Sequence, residues 1–194
     1  MKKFSIALVV LVIALLTVSQ ASATVYTFAP SNSTLANLDH FAYMTWGMRW
    51  THRDERIVDA VLTFRNIWNW ASEPNNLYTH LLNQPPLGTY PYLDMQGGGD
   101  NFAGQGYLVG NWTDNVGGHA RGYDLTYRFS ELGLVDELSA YASDGRFGFG
   151  FDPDCHYYNS GVTFQIITAP IPEPATLSLF GLGLIGLGMV RRRK

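Results

Sequence analysis

Two sets of residues in this sequence have types and spacings suited to chemistry. The first is a group of carboxylates in turn-rich stretches, Asp94, Asp100, Asp114, Asp152 and Asp154. Hard cations take oxygen ligands of this kind, which makes Asp152 and Asp154 candidate calcium ligands. The plain alternative is that they terminate turns. The second set is Trp68 and Trp70, which share a face if the strand before them continues. Exposed rings on one face are what a sugar-stacking platform needs, so polysaccharide is the candidate partner. Their alternative is a place in the core or at its rim.

Catalysis has less support. No G-x-S-x-G elbow occurs, and His40, His52, His80, His119 and His156 are scattered singly, with neither H-E-x-x-H nor paired metal spacing. Gly97-Gly98-Gly99 lacks the lysine of a phosphate loop. Glycosidase carboxylates come from distant positions and leave no local motif, so a secreted hydrolase stays open as the lesser alternative. The expectation is a non-catalytic domain with no cofactor beyond the calcium considered above. Cys155 is the single cysteine, so no internal disulfide exists, and the aromatic residues that follow it predict burial.

The residues from Pro172 to Lys194 fall into three parts. Pro172-Glu173-Pro174 is followed by sixteen uncharged residues, Ala175 to Val190, and then by Arg191, Arg192, Arg193 and Lys194. The prolines keep the chain extended until Ala175. As a helix the uncharged run reaches roughly 24 Å, a short transmembrane span. The basic cluster favours a cytoplasmic end, which places everything before Pro172 on the outer face. Gly181, Gly183, Gly186 and Gly188 are poor helix formers in water, and the basic residues could not follow them into a core, which disfavours a buried soluble helix.

This layout resembles the PEP-CTERM sorting signal of Gram-negative bacteria, on Pro172, Glu173, Pro174, the glycine-rich span and the arginine tail. The resemblance implies processing by a membrane protease, the exosortase, at an inner-membrane-anchored intermediate whose ectodomain lies in the periplasm. It also implies later delivery to the cell surface or extracellular matrix, and an association with exopolysaccharide or biofilm.

At the other end, Lys2 and Lys3 precede the apolar run Ile6 to Val18, and Ala21-Ser22-Ala23 follows. That is the layout of a secretory signal peptide, with small residues at Ala21 and Ala23 where signal peptidase cuts. The predicted organisation is therefore a signal peptide over 1–23, an ectodomain over 24–168, a linker over 169–171 and the sorting signal over 172–194. Thr24 to Ile171 contains seven arginines, no lysines and fifteen acidic residues, a formal charge of −8. Such a domain is unsuited to nucleic acid and to anionic headgroups.

The elements that must position these residues read as strands. Phe41 to Met48 is rich in β-formers, and Ile57 to Trp68 alternates, with Val58, Ala60, Leu62 and Phe64 on one face. Leu77 to Leu82 and Gly106 to Trp112 are further strands, whereas the twenty residues to Asn101 lack a period and read as a long loop. Tyr123 to Phe129 alternates with its aromatic face inward, and Leu134, Leu138 and Tyr141 fit one short helix. Phe147, Phe149 and Phe151 share a face, which leaves Gly148 and Gly150 as bare backbone for something to pack on. Gly161 to Thr168 is the last strand. About eight strands and one helix, without βα alternation, predict an antiparallel β-sandwich of jelly-roll type. The stretch from Val58 to Leu82, with Trp68-Asn69-Trp70 after a long strand, resembles the strand pair of galactose-binding-like jelly rolls. Trp46, Trp50 and Trp112 are expected in the core.

Overall fold

A computed structural model describes residues 22–31 and 33–171, together with Gly181 and Gly183. The expected signal peptide up to Ala21, the Pro172-Glu173-Pro174 motif, the rest of the 175–190 span and the basic tail lie outside the described residues. Among the described residues, no helix is long and apolar enough to cross a membrane.

Eleven strands are described: β1 (Thr24–Phe28), β2 (Asn37–Leu38), β3 (Ala42–Arg49), β4 (Glu55–Asn69), β5 (Asn76–Asn83), β6 (Gly88–Leu93), β7 (Tyr107–Thr113), β8 (Tyr123–Arg128), β9 (Arg146–Pro153), β10 (Tyr157–Tyr158) and β11 (Val162–Pro170). Two helices, α1 (Phe129–Leu132) and α2 (Val135–Ser143), sit between β8 and β9. The strands form two sheets. One has the order β1-β11-β4-β10-β2, with β8 also on β4, and the other has the order β6-β3-β9-β5-β7. Every ladder between named strands is antiparallel.

The inner faces meet over an aromatic core. Phe149 of one sheet stands edge-on to Phe164 of the other at 4.8 Å, and Phe151 is set likewise against Phe64 at 5.4 Å. Such edge-to-face contacts suit the ring quadrupoles and add to the area buried. Trp46, Trp50 and Trp112 are buried with them, as expected. Leu138 and Ala142 turn α2 onto the core, and α2 starts directly after Leu134.

β4 departs from simple alternation twice. Val58 has no partner, because Asp59 pairs with Ile167 and Ile57 with Thr168. This β-bulge shifts the side chains by one, so Ile57 rather than Val58 shares the buried face with Ala60, Leu62 and Phe64. Asn66, with φ of 46°, makes a second irregularity that brings Ile67 inward. After it, Trp68 and Trp70 belong to the outer side.

The expected long loop also contains a strand. β6 pairs with β3 from Ala42↔Leu93 to Gly47↔Gly88. It is an edge strand with no buried residue, which is why its sequence shows no hydrophobic period. The rest of that segment covers the outer face of the same sheet. A Cβ on Gly150 would lie 2.6 Å from the Phe102 ring, and one on Gly148 would lie 2.2 Å from the Trp46 carbonyl oxygen. The bare glycine face is thus filled as expected. Finally, β11 continues through Ala169 and Pro170, which pair with Arg56 and Glu55, so two residues expected in the linker belong to the sheet.

Candidate site at the end of the first sheet

The two-residue strands β2 and β10 decide which polar side chains meet. Tyr157 pairs with Leu38 and Tyr158 with Asn37, so the next positions outward are His156 and Asp39. On its other side β10 pairs with the end of β4, and the Trp70 amide donates to the His156 carbonyl at 3.1 Å. Three chain segments are thereby fixed side by side.

On this frame His156 Nε2 lies 2.6 Å from Asp39 Oδ2, and His40 Nδ1 lies 3.2 Å from Asp39 Oδ1. The two imidazoles are perpendicular at 5.3 Å. Among the described residues this is the group of three whose nitrogen and carboxylate ligand atoms all lie within 4.8 Å of one another. All three residues are half-buried. Asp39 is held by its own turn, since its carboxylate accepts from the Phe41 amide and its carbonyl from the Ala42 amide.

Aromatic rings surround the cluster. Tyr158 lies parallel to His156 at 6.2 Å, and Trp70 meets His156 edge-on at 6.0 Å. Trp68 stacks on Tyr158 at 4.7 Å and takes His119 edge-on at 5.5 Å. One face of Trp68 is therefore already covered, while Trp70 is 62% exposed. Cys155 is half-buried against the core rather than fully buried.

The five carboxylates expected in turns are placed differently, and Asp152 belongs to β9. Asp114 is buried and accepts from the amides of Asn69, Val116 and Gly117. Burial pushes its carboxyl up, but the three amides outweigh it and hold it below the ordinary range. Asp154 accepts from the Gly99 amide and the Asn76 side chain, Asp94 from the Gln96 amide, and Asp100 from the Phe102 amide and the His80 ring. Asp152 is fully buried, and one oxygen accepts from the Asn101 amide and side chain while the other has no partner. Burial raises its carboxyl, the Asn101 donors oppose this, and the nearby Asp94 and Asp100 charges add to it. These carboxylates fasten the 94–106 segment and the 114–118 turn to the strands.

The histidine cluster was not legible in the sequence, because His156 lies more than a hundred positions from Asp39 and His40 and is brought to them through β2 and β10. The one signal available was that His40 and His156 each lie next to an aspartate or an aromatic residue at a strand end.

No curated protein matches the sequence. Among solved structures, recombinantly expressed latent aurone synthase (polyphenol oxidase) aligns with a TM-score of 0.42 at 10% identity, over 75% of this chain and 28% of that one. The same enzyme from natural source gives 0.40 at 10% identity, over 75% and 30%. Tomato Aspermy Virus gives 0.26 at 10% identity, over 89% and 97%. The chain thus spans less than a third of the aurone synthase chains it matches, and likenesses this slight do not bear on activity. Residues 170–194 match the family described as the PEP-CTERM protein-sorting motif, so the chain carries the signal that implies an exosortase-targeted, exported protein.

Proposed function

We propose that this is an exported, exosortase-processed protein whose non-catalytic β-sandwich is displayed at the cell surface or in the extracellular matrix. What carries this proposal is where the last strand ends. β11 ends at Pro170, where the sorting motif begins, so cutting at Pro172-Glu173-Pro174 would leave both sheets whole. The other expected cut, after Ala23, falls immediately before β1. Both expected cuts therefore fall outside the strands β1 to β11.

Register gives the domain a direction. Glu55 pairs with Pro170 at one end of the first sheet, whereas Trp68 pairs with Tyr158 at the other. At about 3.3 Å per residue, β4 separates these ends by about 45 Å. A domain anchored through 175–190 would hold the Trp70, His40 and His156 end away from the inner membrane. As a fold, the orders β1-β11-β4-β8 and β3-β9-β5-β7 support a jelly roll, in which two Greek keys alternate between sheets.

A carbohydrate-binding role is the second reading, and the exposure of Trp70 favours it. A ring with an open face beside half-buried polar groups suits a sugar ring, and the acidic domain suits neutral rather than anionic polysaccharide. Pull-down of native matrix polysaccharide with the wild-type protein and with Trp70→Ala tests it. Retention by the wild type and loss in the variant support glycan binding; no retention by either leaves display without glycan recognition. Display itself is tested by whether the sorting motif is cut and the domain reaches the surface.

A further inference from the structure

We infer that Asp39, His40 and His156 form a binding site for a first-row divalent transition ion of the zinc class. Two imidazole nitrogens and one carboxylate are a donor set that zinc and its neighbours accept, and that calcium and magnesium, which want oxygen throughout, do not. With bonds of about 2.0–2.1 Å, ligand atoms on a tetrahedral ion lie about 3.3 Å apart. Here the two contacts to Asp39 are 2.6 and 3.2 Å, both a little shorter than that spacing and made to different oxygens, and one ligand atom from each residue lies within 4.8 Å of the others, so small side-chain rotations that open these contacts admit the ion. The metal would replace the direct His156 to Asp39 contact, with water completing the shell.

The site is braced rather than assembled by chance contact of mobile side chains. His156 and Asp39 lie one step beyond the Tyr157↔Leu38 pair, in a ladder that also includes the end of β4. The Tyr158 ring lies parallel to the His156 ring, and the Phe41 amide fixes one Asp39 oxygen. Ligands held this way lose little freedom on binding, which is what separates a site from a surface histidine pair. No local sequence motif marks it. Binding would tie together the segments on either side of β2 and β10, the shortest strands, at the end of the domain that faces outward in the proposed orientation.

The test uses full-length protein in detergent without a polyhistidine tag. Zinc is titrated in competition with a chromophoric chelator, and cobalt is added separately to read the coordination spectrum. The expected result is one ion per chain, lost in Asp39→Asn, His40→Ala and His156→Ala, and retained in His52→Ala and Cys155→Ser. Tyr158→Leu, which removes the bracing ring but no ligand, should weaken binding by about tenfold. Circular dichroism of each variant separates loss of a ligand from loss of fold. Absence of stoichiometric binding, or binding unchanged in a folded variant lacking all three residues, overturns the site. So does a site that survives His156→Ala but vanishes in Cys155→Ser, which would belong to the thiol.

Discussion

Thr24, the first residue of β1, pairs with Thr168 near the end of β11, so the segment entering the domain and the segment leaving it lie side by side at one end of the first sheet. Two neighbouring residues of Thr168 tie this corner further, since the Thr168 hydroxyl donates to Glu55 and Tyr26 donates to the same carboxylate at 2.8 Å.

The corner gives an orientation that can be measured. In an anchored variant with Cys155 replaced by Ser, a fluorophore on Val25→Cys should be quenched by brominated lipid, because Val25 pairs with Ile167 beside the exit strand. One on Trp70→Cys, about 45 Å along β4, should not. Equal quenching at both positions would show a domain lying flat on the membrane.

The glycine face of β9 predicts a coupled pair. Gly150→Ala should destabilise the protein by about 1–3 kcal/mol through collision with the Phe102 ring. In Gly150→Ala/Phe102→Ala the collision is gone, so the double variant should be more stable than the sum of single losses predicts, by about 0.5–3 kcal/mol. Urea denaturation of the four proteins reads this directly. Strict additivity would mean that Phe102 does not pack on Gly150.

The two outer tryptophans should separate stability from binding. Trp68→Ala removes the indole that stacks on Tyr158 and meets His119 edge-on, and should cost about 1–2 kcal/mol. Trp70→Ala should stay within about 0.5 kcal/mol, since Trp70 is largely solvent-exposed. Melting curves showing the reverse order would mean that Trp70 is the structural ring.

Asp114 and Asp152 should respond oppositely to pH. Asp114 is held below its unfolded value, so its contribution is present above about pH 4 and is lost as pH falls through its folded value. Asp114→Asn should lower stability at neutral pH by about 1–3 kcal/mol, with the gap from wild type closing in acid. Asp152 is raised, so its contribution is full below about pH 4 and is lost as pH rises through its folded value. Asp152→Asn should remove that fall. Parallel pH–stability curves for wild type and both variants would contradict the assigned environments.

Much of the sandwich was legible because β4, β8 and β9 carry period-two patterns that a strand explains, although β9 is buried on both faces. What was not legible has local causes. The bulge at Val58 and the positive φ at Asn66 move side chains between faces without a glycine or proline to mark them. β6 escaped because both its faces lack buried residues. Asp39, His40 and His156 escaped for a different reason: two-residue strands leave no period, yet their pairing sets the whole cluster. By contrast, the sorting motif was legible because its three parts are contiguous.

The most direct test of the account is the intact mass of the protein recovered from the cell surface or medium. The account predicts a chain that begins at Thr24 and lacks Ala175 to Lys194, and predicts that replacing Pro172, Glu173 and Pro174 with alanine leaves the uncut chain in the inner-membrane fraction. Surface protein that still ends at Lys194, or normal export of the alanine variant, would contradict it.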